Sequence, residues 1–285
     1  MFPARFQYEA PRSIEEAISL LEKNGDDSKI MAGGQSLIPL MKLRFAAPSM
    51  IIDMNNIPGL SYHHADADGT LHIGALCRHA QLERSALLSQ TQPTMSACAP
   101  LIADPMVRNR GTLVGSLCHA DPQGDWASVM MALDGYVVVQ GSKGKRNIMV
   151  RDLVSGPFSN TLDHGEIAIE AVVPAPRGNV KGGYLKLERR VGDFATVGVA
   201  IAVETSGASV TRAGIGLTGV GSSTINASQA ANALVGKTLT QGSIEEAAYL
   251  AAQASNPRSD HRGSATYKRH VVGMFVERIL TGIAA

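Results

Sequence analysis

The 285-residue sequence predicts an α+β fold in two parts, on the basis of three observations. Segments with helical periodicity alternate with strand-like segments, but without the regular β-α-β order of a doubly wound parallel sheet. Several pairs of strand-like segments are separated by short polar turns, which is typical of hairpins. Pro and Gly cluster in the segment "VVPAPRGNVKGG", which predicts a domain boundary near Pro174.

The first predicted element is an amphipathic helix. Apolar residues recur at helical spacing from Ile14 to Leu21, with Ser13 in the N-cap position and Gly25 just beyond the last turn. A short strand at 29–31, a glycine loop at 32–36 and a turn or short helix at 37–44, interrupted at Pro39, are expected to follow. The N-terminal region therefore combines a helix, a strand and a glycine loop.

The middle of the chain is predicted to alternate between strands and helices. A buried strand in 49–60 precedes two strands around the polar turn 66–69. Further along, we expect helices over 78–88 and 94–109, a second glycine loop at 111–116, a helix over 127–135 and a hairpin over 136–150 with its turn at 141–144.

Beyond the boundary, three strands are followed by three helices. The strands are predicted over 183–190, 197–205 and 208–220, and the helices over 226–236, 243–254 and 267–280. This part of the chain is therefore expected to form a sheet covered by helices.

Composition excludes several classes of protein. With 45% hydrophobic residues, 18% charged residues and a net charge of +1, the chain has neither the signature of disorder nor a basic surface for nucleic acid. No apolar run approaches the roughly 20 residues of a membrane helix, and the first residues lack the apolar core of a signal peptide. We therefore expect a cytoplasmic protein with no membrane span.

The cysteines argue against a metal or iron–sulfur site on this chain. Cys77, Cys98 and Cys118 are widely spaced and form no C-x-x-C pair. His63 and His64 beside a hairpin turn lack a third nearby ligand, and solvation is the better interpretation. Any electron carrier must therefore be organic or belong to another protein.

The segment Ala32-Gly33-Gly34-Gln35-Ser36 follows a strand and is rich in backbone donors. Glycines permit positive φ, so that successive N–H groups can converge on an anion, and Ser36 can add a hydroxyl donor. The spacing matches neither the G-x-G-x-x-G fingerprint nor a P-loop. A sharp strand-to-helix turn and a phosphate-binding loop both remain open.

A second loop, Gly111-Thr112-Leu113-Val114-Gly115-Ser116, contains the same types of residue. Two such loops could hold the two phosphates of one pyrophosphate. The chain continues to Asp121 and Asp125, where a carboxylate could accept hydrogen bonds from ribose hydroxyls or simply cap a helix. A hydrolase triad of Ser116, His119 and Asp121 is not favoured, because no G-x-S-x-G elbow is present.

Four segments together resemble the FAD-binding medium subunit of molybdenum hydroxylases: "AGGQSLIPLMKLR", "VRNRGTLVGSLCHADPQGDW", "LERRVGDFATVG" and "SDHRGSATYKRHV". This family includes carbon monoxide dehydrogenase and dehydrogenases of N-heterocycles such as quinoline and nicotine, and xanthine dehydrogenase carries the same module within a longer chain. The resemblance spans nearly the whole chain, in order.

The resemblance implies an FAD-binding domain of the vanillyl-alcohol-oxidase (PCMH) type over residues 1–176, in two lobes of about 1–55 and 56–176. A smaller sheet-plus-helices domain, similar to the C-terminal domain of carbon monoxide dehydrogenase flavoproteins, is implied for residues 177–285.

The resemblance also implies the residues that bind FAD. The two loops are expected to enclose the pyrophosphate, an acidic residue to lie near the adenosine ribose, a lysine to lie near the flavin ring, and the backbone at about residue 167 to make a further contact. The implied residues are Ala32, Gly33, Gly34, Gln35, Ser36, Leu37, Gly111, Thr112, Leu113, Val114, Gly115, Ser116, Asp125 (ribose), Ile167 (backbone), Lys186 (flavin) and Phe194.

Two of these positions depart from the pattern of the family. Val114 stands where relatives commonly have a second consecutive glycine, so that this residue is not expected to need positive φ. Phe194 stands where many relatives have Tyr. Phe can cover a flavin ring but cannot donate a hydrogen bond, although core packing is the ordinary role of a lone Phe.

The implied function is that of an oxidoreductase subunit that transfers electrons and has no catalytic acid–base residues of its own. Noncovalent FAD would take electrons from [2Fe-2S] clusters of a small subunit and pass them to an external acceptor, while a large molybdopterin subunit hydroxylates the substrate. A dimer of heterotrimers, that is a heterohexamer, is the expected assembly. A stand-alone flavin oxidase and a nonenzymatic nucleotide-binding module are the competing functions.

Overall fold

Three β-sheets and a two-stranded ribbon organise the chain in the computed structural model, which describes residues 2–285. The strands are β1 (Gln7–Glu9), β2 (Ser28–Met31), β3 (Met50–Asp53), β4 (His63–Ala65), β5 (Leu71–Gly74), β6 (Tyr136–Gly141), β7 (Gly144–Met149), β8 (Val154–Gly156), β9 (Ser159–Asn160), β10 (Ile167–Val173), β11 (Asn179–Leu187), β12 (Val197–Ser206), β13 (Ser209–Thr218) and β14 (Ile225–Asn226).

Twelve α-helices are found among residues 2–285, with short 3₁₀ turns at Gly25–Asp27, Met54–Asn56 and Ala99–Leu101. The α-helices are α1 (Ile14–Asn24), α2 (Leu37–Lys42), α3 (His79–Glu83), α4 (Ala86–Thr91), α5 (Pro93–Cys98), α6 (Pro105–Arg110), α7 (Leu113–His119), α8 (Asp125–Ala132), α9 (Val150–Leu153), α10 (Ser228–Asn232), α11 (Gln241–Ala254) and α12 (Ala265–Ala284).

The sheets mix parallel and antiparallel pairing. A small sheet of order β1-β3-β2 is parallel, whereas the sheets β4-β5-β10-β6-β7 and β11-β12-β13-β14 are antiparallel throughout. Since helices alternate with these sheets in no regular β-α-β order, the predicted α+β class is confirmed.

Local signals placed α1 correctly. The Ser13 side chain accepts the N–H of Glu16 at 3.1 Å, and Gly25 ends the helix with φ of +64°. The expected interruption at Pro39 is wrong, because α2 runs through it. Pro39 is the third residue of α2, a position at which an N–H has no partner within the helix in any case.

Three other expectations need correction. The predicted helix at 78–88 is two helices, because Ser85 caps α4 by accepting the N–H of Leu88. The predicted helix at 94–109 is likewise divided, since Pro105 begins α6 after the N-cap Asp104. The second glycine loop is mostly helical, because α7 starts at Leu113.

The four-stranded sheet lies between two helical layers. In β12, Val199 and Ile201 face the core formed with α10, α11 and α12, whereas Ala200 and Ala202 face the larger N-terminal core. In β13, a Cβ on Gly216 would lie 2.0 Å from the Ser128 carbonyl oxygen. Small residues therefore let α8 lie directly on the sheet, which brings the start of α8 close to β11.

The Pro- and Gly-rich segment 174–178 connects β10, in the five-stranded sheet, to β11, in the four-stranded sheet. Among residues 2–285 there is no helix with both the length and the apolar character that a membrane crossing requires.

Candidate functional site

The two glycine segments that are separated by almost 80 residues in sequence touch in the structure. A Cβ on Gly33 would lie 2.1 Å from the Arg110 carbonyl oxygen and 2.8 Å from the Gly111 Cα. A Cβ on Gly115 would lie 4.0 Å from that of Ala32. The backbones can therefore approach this closely only because position 33 has no side chain.

The first segment presents a row of free backbone donors. Gly34 has a φ of +74°, which turns the chain sharply before α2. Within residues 2–285, no protein group accepts the N–H groups of residues 33–37, although they precede or begin a helix. Successive N–H groups of this kind, at a helix start, form an anion-binding concavity.

The second segment is a helix start rather than a loop. Thr112 is the N-cap of α7, and its Oγ1 accepts the N–H of Gly115 at 3.1 Å. Val114, only 2% exposed, has a helical conformation and packs into the core, so that it does not need positive φ. Ser116 lies in the same first turn, where the helix dipole favours a negative charge.

The guanidinium of Arg78 lies at the contact between the two segments. The half-buried Arg78 donates to the Arg110 carbonyl oxygen at 2.8 Å, and both guanidinium groups lack a carboxylate partner within 4 Å among residues 2–285. Burial, with the nearby charge of Arg110, lowers the pKa of Arg78. An anion at this site would relieve that unfavourable environment. Sequence reasoning missed Arg78, because nothing in its spacing connects it with either segment.

Asp125 and Lys186 form a buried ion pair. The Lys186 Nζ lies 3.1 Å from Oδ2 of Asp125, while the hydroxyl of Tyr184 donates to Oδ1 at 2.5 Å. The Lys186 ammonium also donates to the Leu101 carbonyl oxygen at 2.9 Å. Burial raises the pKa of Asp125, an effect that Lys186 opposes. The expected ribose contact of Asp125 and flavin contact of Lys186 stay predictions.

Comparison with known protein families identifies both parts of the chain. Residues 4–176 match the FAD binding domain in molybdopterin dehydrogenase, and residues 183–283 match the CO dehydrogenase flavoprotein C-terminal domain. The chain belongs to the FAD-binding medium subunits of the molybdenum hydroxylase family. This medium subunit is accordingly part of an oxidoreductase, and its cofactor is FAD.

Individual relatives cover nearly the full length of this medium subunit. The 6-hydroxypseudooxynicotine dehydrogenase complex subunit alpha of Paenarthrobacter nicotinovorans is 40% identical, covering 98% of this chain and 95% of that protein. A structure of carbon monoxide dehydrogenase from Hydrogenophaga pseudoflava, lacking the Mo-pyranopterin moiety, has a TM-score of 0.94 at 38% identity, covering 99% and 98%. The structure of quinoline 2-oxidoreductase from Pseudomonas putida 86 has a TM-score of 0.90 at 31% identity, and the match covers 100% of this chain and 98% of that one.

The residues present fit FAD. The absence of a side chain at Gly33 lets the two segments meet, and the free N–H groups of residues 33–37 provide donors for a pyrophosphate, beside the cation of Arg78. The roles of individual residues stay predictions, but the structure does bring the two predicted phosphate-binding segments together.

Phe194 and Ile167 lie in contrasting environments. Phe194, in the loop after β11, is 53% exposed, and its carbonyl oxygen accepts a hydrogen bond from Arg262 at 3.0 Å. Core packing is therefore not its role, and the ring is free to cover a planar ligand. Ile167 is buried at the start of β10 opposite Gln140, so that a contact with FAD would have to come from its backbone.

The structure does not assemble the alternative sites. Asp121 accepts the N–H of Gln123, and the His119 ring packs against Phe158, 5.2 Å between centroids. No hydrogen bond joins Ser116, His119 and Asp121 within the described chain.

His63 contacts the hydroxyl of Ser85. Burial raises the pKa values of Cys77 and Cys118 to about 12, which favours the protonated form of both thiols at neutral pH.

Proposed function

We propose that this medium subunit collects electrons from iron–sulfur clusters of a small partner subunit and delivers them to an external acceptor. In this proposal a large molybdopterin subunit hydroxylates a small N-heteroaromatic substrate. The observation that carries the proposal is the row of free N–H groups at residues 33–37, in a segment that contacts the second glycine segment, in a chain of this family. When bound, FAD supplies the chemistry that converts one-electron input into one- or two-electron output.

The names of relatives support the substrate class and the assembly. Nicotine 6-hydroxylase medium subunit is 36% identical to this chain, and quinoline 2-oxidoreductase shares its fold. The term medium in such names implies larger and smaller partners. We infer that this chain joins one large and one small subunit, and that two such heterotrimers form a dimer.

The chain's own residues position the cofactor and shield it. The N–H groups of residues 33–37 and the start of α7 would hold the pyrophosphate, with the Ser36 and Ser116 hydroxyls as further donors. The exposed ring of Phe194 would limit access of solvent to the flavin, without donating a hydrogen bond to it. None of these groups needs to gain or lose a proton, as suits a subunit that transfers electrons.

The experiment compares the full chain alone with the assembled complex under anaerobic conditions. Loaded with FAD, the chain alone should show a flavin absorption band that a reduced [2Fe-2S] protein bleaches and that quinoline or nicotine does not. In the complex, the unreacted substrate should bleach the same band as it is hydroxylated, and only when the small subunit is present. Turnover of any substrate with dioxygen by the chain alone would instead support a stand-alone flavin oxidase.

A further inference from the structure

Asn55 connects the first glycine segment to the core of the small parallel sheet. Its Nδ2 donates to the Ala32 carbonyl oxygen at 2.9 Å, and its backbone N–H donates to Oδ1 of Asp53 at 2.9 Å. Asp53 is 8% exposed and also accepts the Tyr8 hydroxyl at 2.6 Å. The Asn55 amide nitrogen has acceptors on its side, so that Oδ1 must face the opposite direction.

Arg78 occupies that opposite side and completes a bridge. One terminal nitrogen of its guanidinium donates to Oδ1 of Asn55, and the other donates to the Arg110 carbonyl oxygen at 2.8 Å. That carbonyl is the group that closely faces Gly33. A planar guanidinium with fixed donor directions can hold two acceptors at a set separation, which a flexible ammonium cannot.

The bridge is the polar connection between the two segments. Within residues 2–285, no hydrogen bond joins residues 32–36 directly to residues 110–116. The two backbones are in van der Waals contact but share no hydrogen bond, and such contact prevents closer approach without preventing separation. The hydrogen bonds of Asn55 and Arg78 are what oppose separation.

We propose that Asn55 and Arg78 are positioning residues that fix the separation of the two glycine segments and thereby set the affinity of the subunit for FAD. The inference rests on the FAD site described above. The half-buried charge of Arg78, which has no carboxylate within 4 Å among residues 2–285, also favours this role over a purely structural one. Such a charge is costly for stability alone, whereas it strengthens the binding of an anion that lies nearby.

The test uses the full chain, freed of FAD, in the variants Arg78→Met, Arg78→Lys and Asn55→Leu. The dissociation constant for FAD is measured by flavin fluorescence, and the melting temperature of the apoprotein is measured separately. Arg212→Met is the matched control. The Arg212 guanidinium also bonds a backbone carbonyl, that of Ala132 at 2.9 Å, together with Asp134 and Glu204, but at the interface with the four-stranded sheet.

Arg78→Met and Asn55→Leu should each raise the dissociation constant by about tenfold or more, the loss expected for one charge-assisted bond. Arg78→Lys should recover part of the affinity, and the double variant Arg78→Met/Asn55→Leu should be little worse than either single variant. The control should lower the melting temperature while leaving affinity within about twofold of the parent.

Unchanged affinity in both single variants would overturn the proposal. So would a loss of affinity that the control shares in proportion to its own loss of melting temperature, since that pattern indicates unfolding. If the parent chain itself bound no FAD, the cofactor site would fail, which is a different result from a parent that binds and variants that bind equally well.

Discussion

Lys186 and Asp125 lie 3.1 Å apart, and their side chains are only 2% and 8% exposed. The pair joins the first residue of α8 to β11, and hence the FAD-binding part of the chain to the four-stranded sheet. Because the two residues belong to different domains, the strength of this ion pair contributes to how firmly the domains are joined.

Lys186→Met should destabilise the apoprotein strongly, because it leaves the Asp125 carboxylate buried without its cation. The expected loss in the free energy of unfolding is about 3–5 kcal/mol. Urea denaturation of the full chain measures it. Lys237→Met provides the control, because Lys237 and Glu246 form a half-exposed pair at 2.7 Å that should contribute no more than about 1 kcal/mol. Equal losses in the two variants would contradict the importance of burial.

His79 should make the apoprotein less stable in mild acid. Its Nδ1 accepts the indole N–H of Trp126 at 3.0 Å, and burial, helped by Arg108 and Arg78, lowers its pKa from 6.5 to about 4. The folded state disfavours the protonated ring. The stability that depends on a neutral His79 is therefore fully present above pH 6.5 and is lost as the pH falls toward 4. The shift corresponds to about 3 kcal/mol.

The measurement is urea denaturation of His79→Gln between pH 7 and pH 4, with His261→Gln, an exposed histidine, as the control. The Gln side chain can still accept the Trp126 hydrogen bond but does not titrate. Stability of His79→Gln should fall less steeply with decreasing pH than that of the control, by up to about 1.4 kcal/mol per pH unit. Parallel slopes would show that His79 is not responsible.

Gly33→Ala should remove FAD from the complex without removing its metals. The new Cβ would meet the backbone at Arg110, which cannot move as a flexible side chain would, so that the two glycine segments must separate. Gly242→Ala is the control, since nothing lies within 4 Å of its missing Cβ. Flavin, iron and molybdenum are quantified in each purified complex, and normal flavin content in Gly33→Ala would contradict the role of close approach.

Local signals in the sequence predicted much of the fold. The N-cap Ser13 and terminal Gly25 placed α1, and the turn at Gly141–Gly144 placed the β6–β7 hairpin, because each signal acts within a few residues. The start of α7 was missed. Glycines and hydroxyl residues are common in loops, and the sequence pattern therefore predicts a loop. The same residues also suit a helix start, because the Thr112 hydroxyl accepts the N–H of Gly115, three residues later.

The two glycine segments of the candidate site could be recognised in the sequence, whereas the residues that connect these segments could not. Gly33 and Gly115 belong to patterns that can be read along the chain, whereas Arg78 contacts Arg110 across 32 residues and Asn55 across 23. The partner of Lys186 is 61 residues away. Such pairs depend on how sheets and helices pack, and no spacing rule encodes them.

Phe194→Ala should expose the flavin without weakening the fold. Since the ring is 53% exposed, its removal should change the free energy of unfolding by less than about 0.5 kcal/mol. The loop should keep its place, because Arg262 holds the Phe194 carbonyl oxygen and the Asp193 carboxylate, neither of which depends on the ring.

Iodide quenching of the bound flavin's fluorescence measures access, and Val191→Ala, at a 96% exposed position of the same loop, is the control. Quenching should increase in Phe194→Ala alone, and Phe194→Tyr should match the parent because it restores the covering surface. If Phe194→Ala and the control quench alike, the aromatic ring does not lie over the flavin.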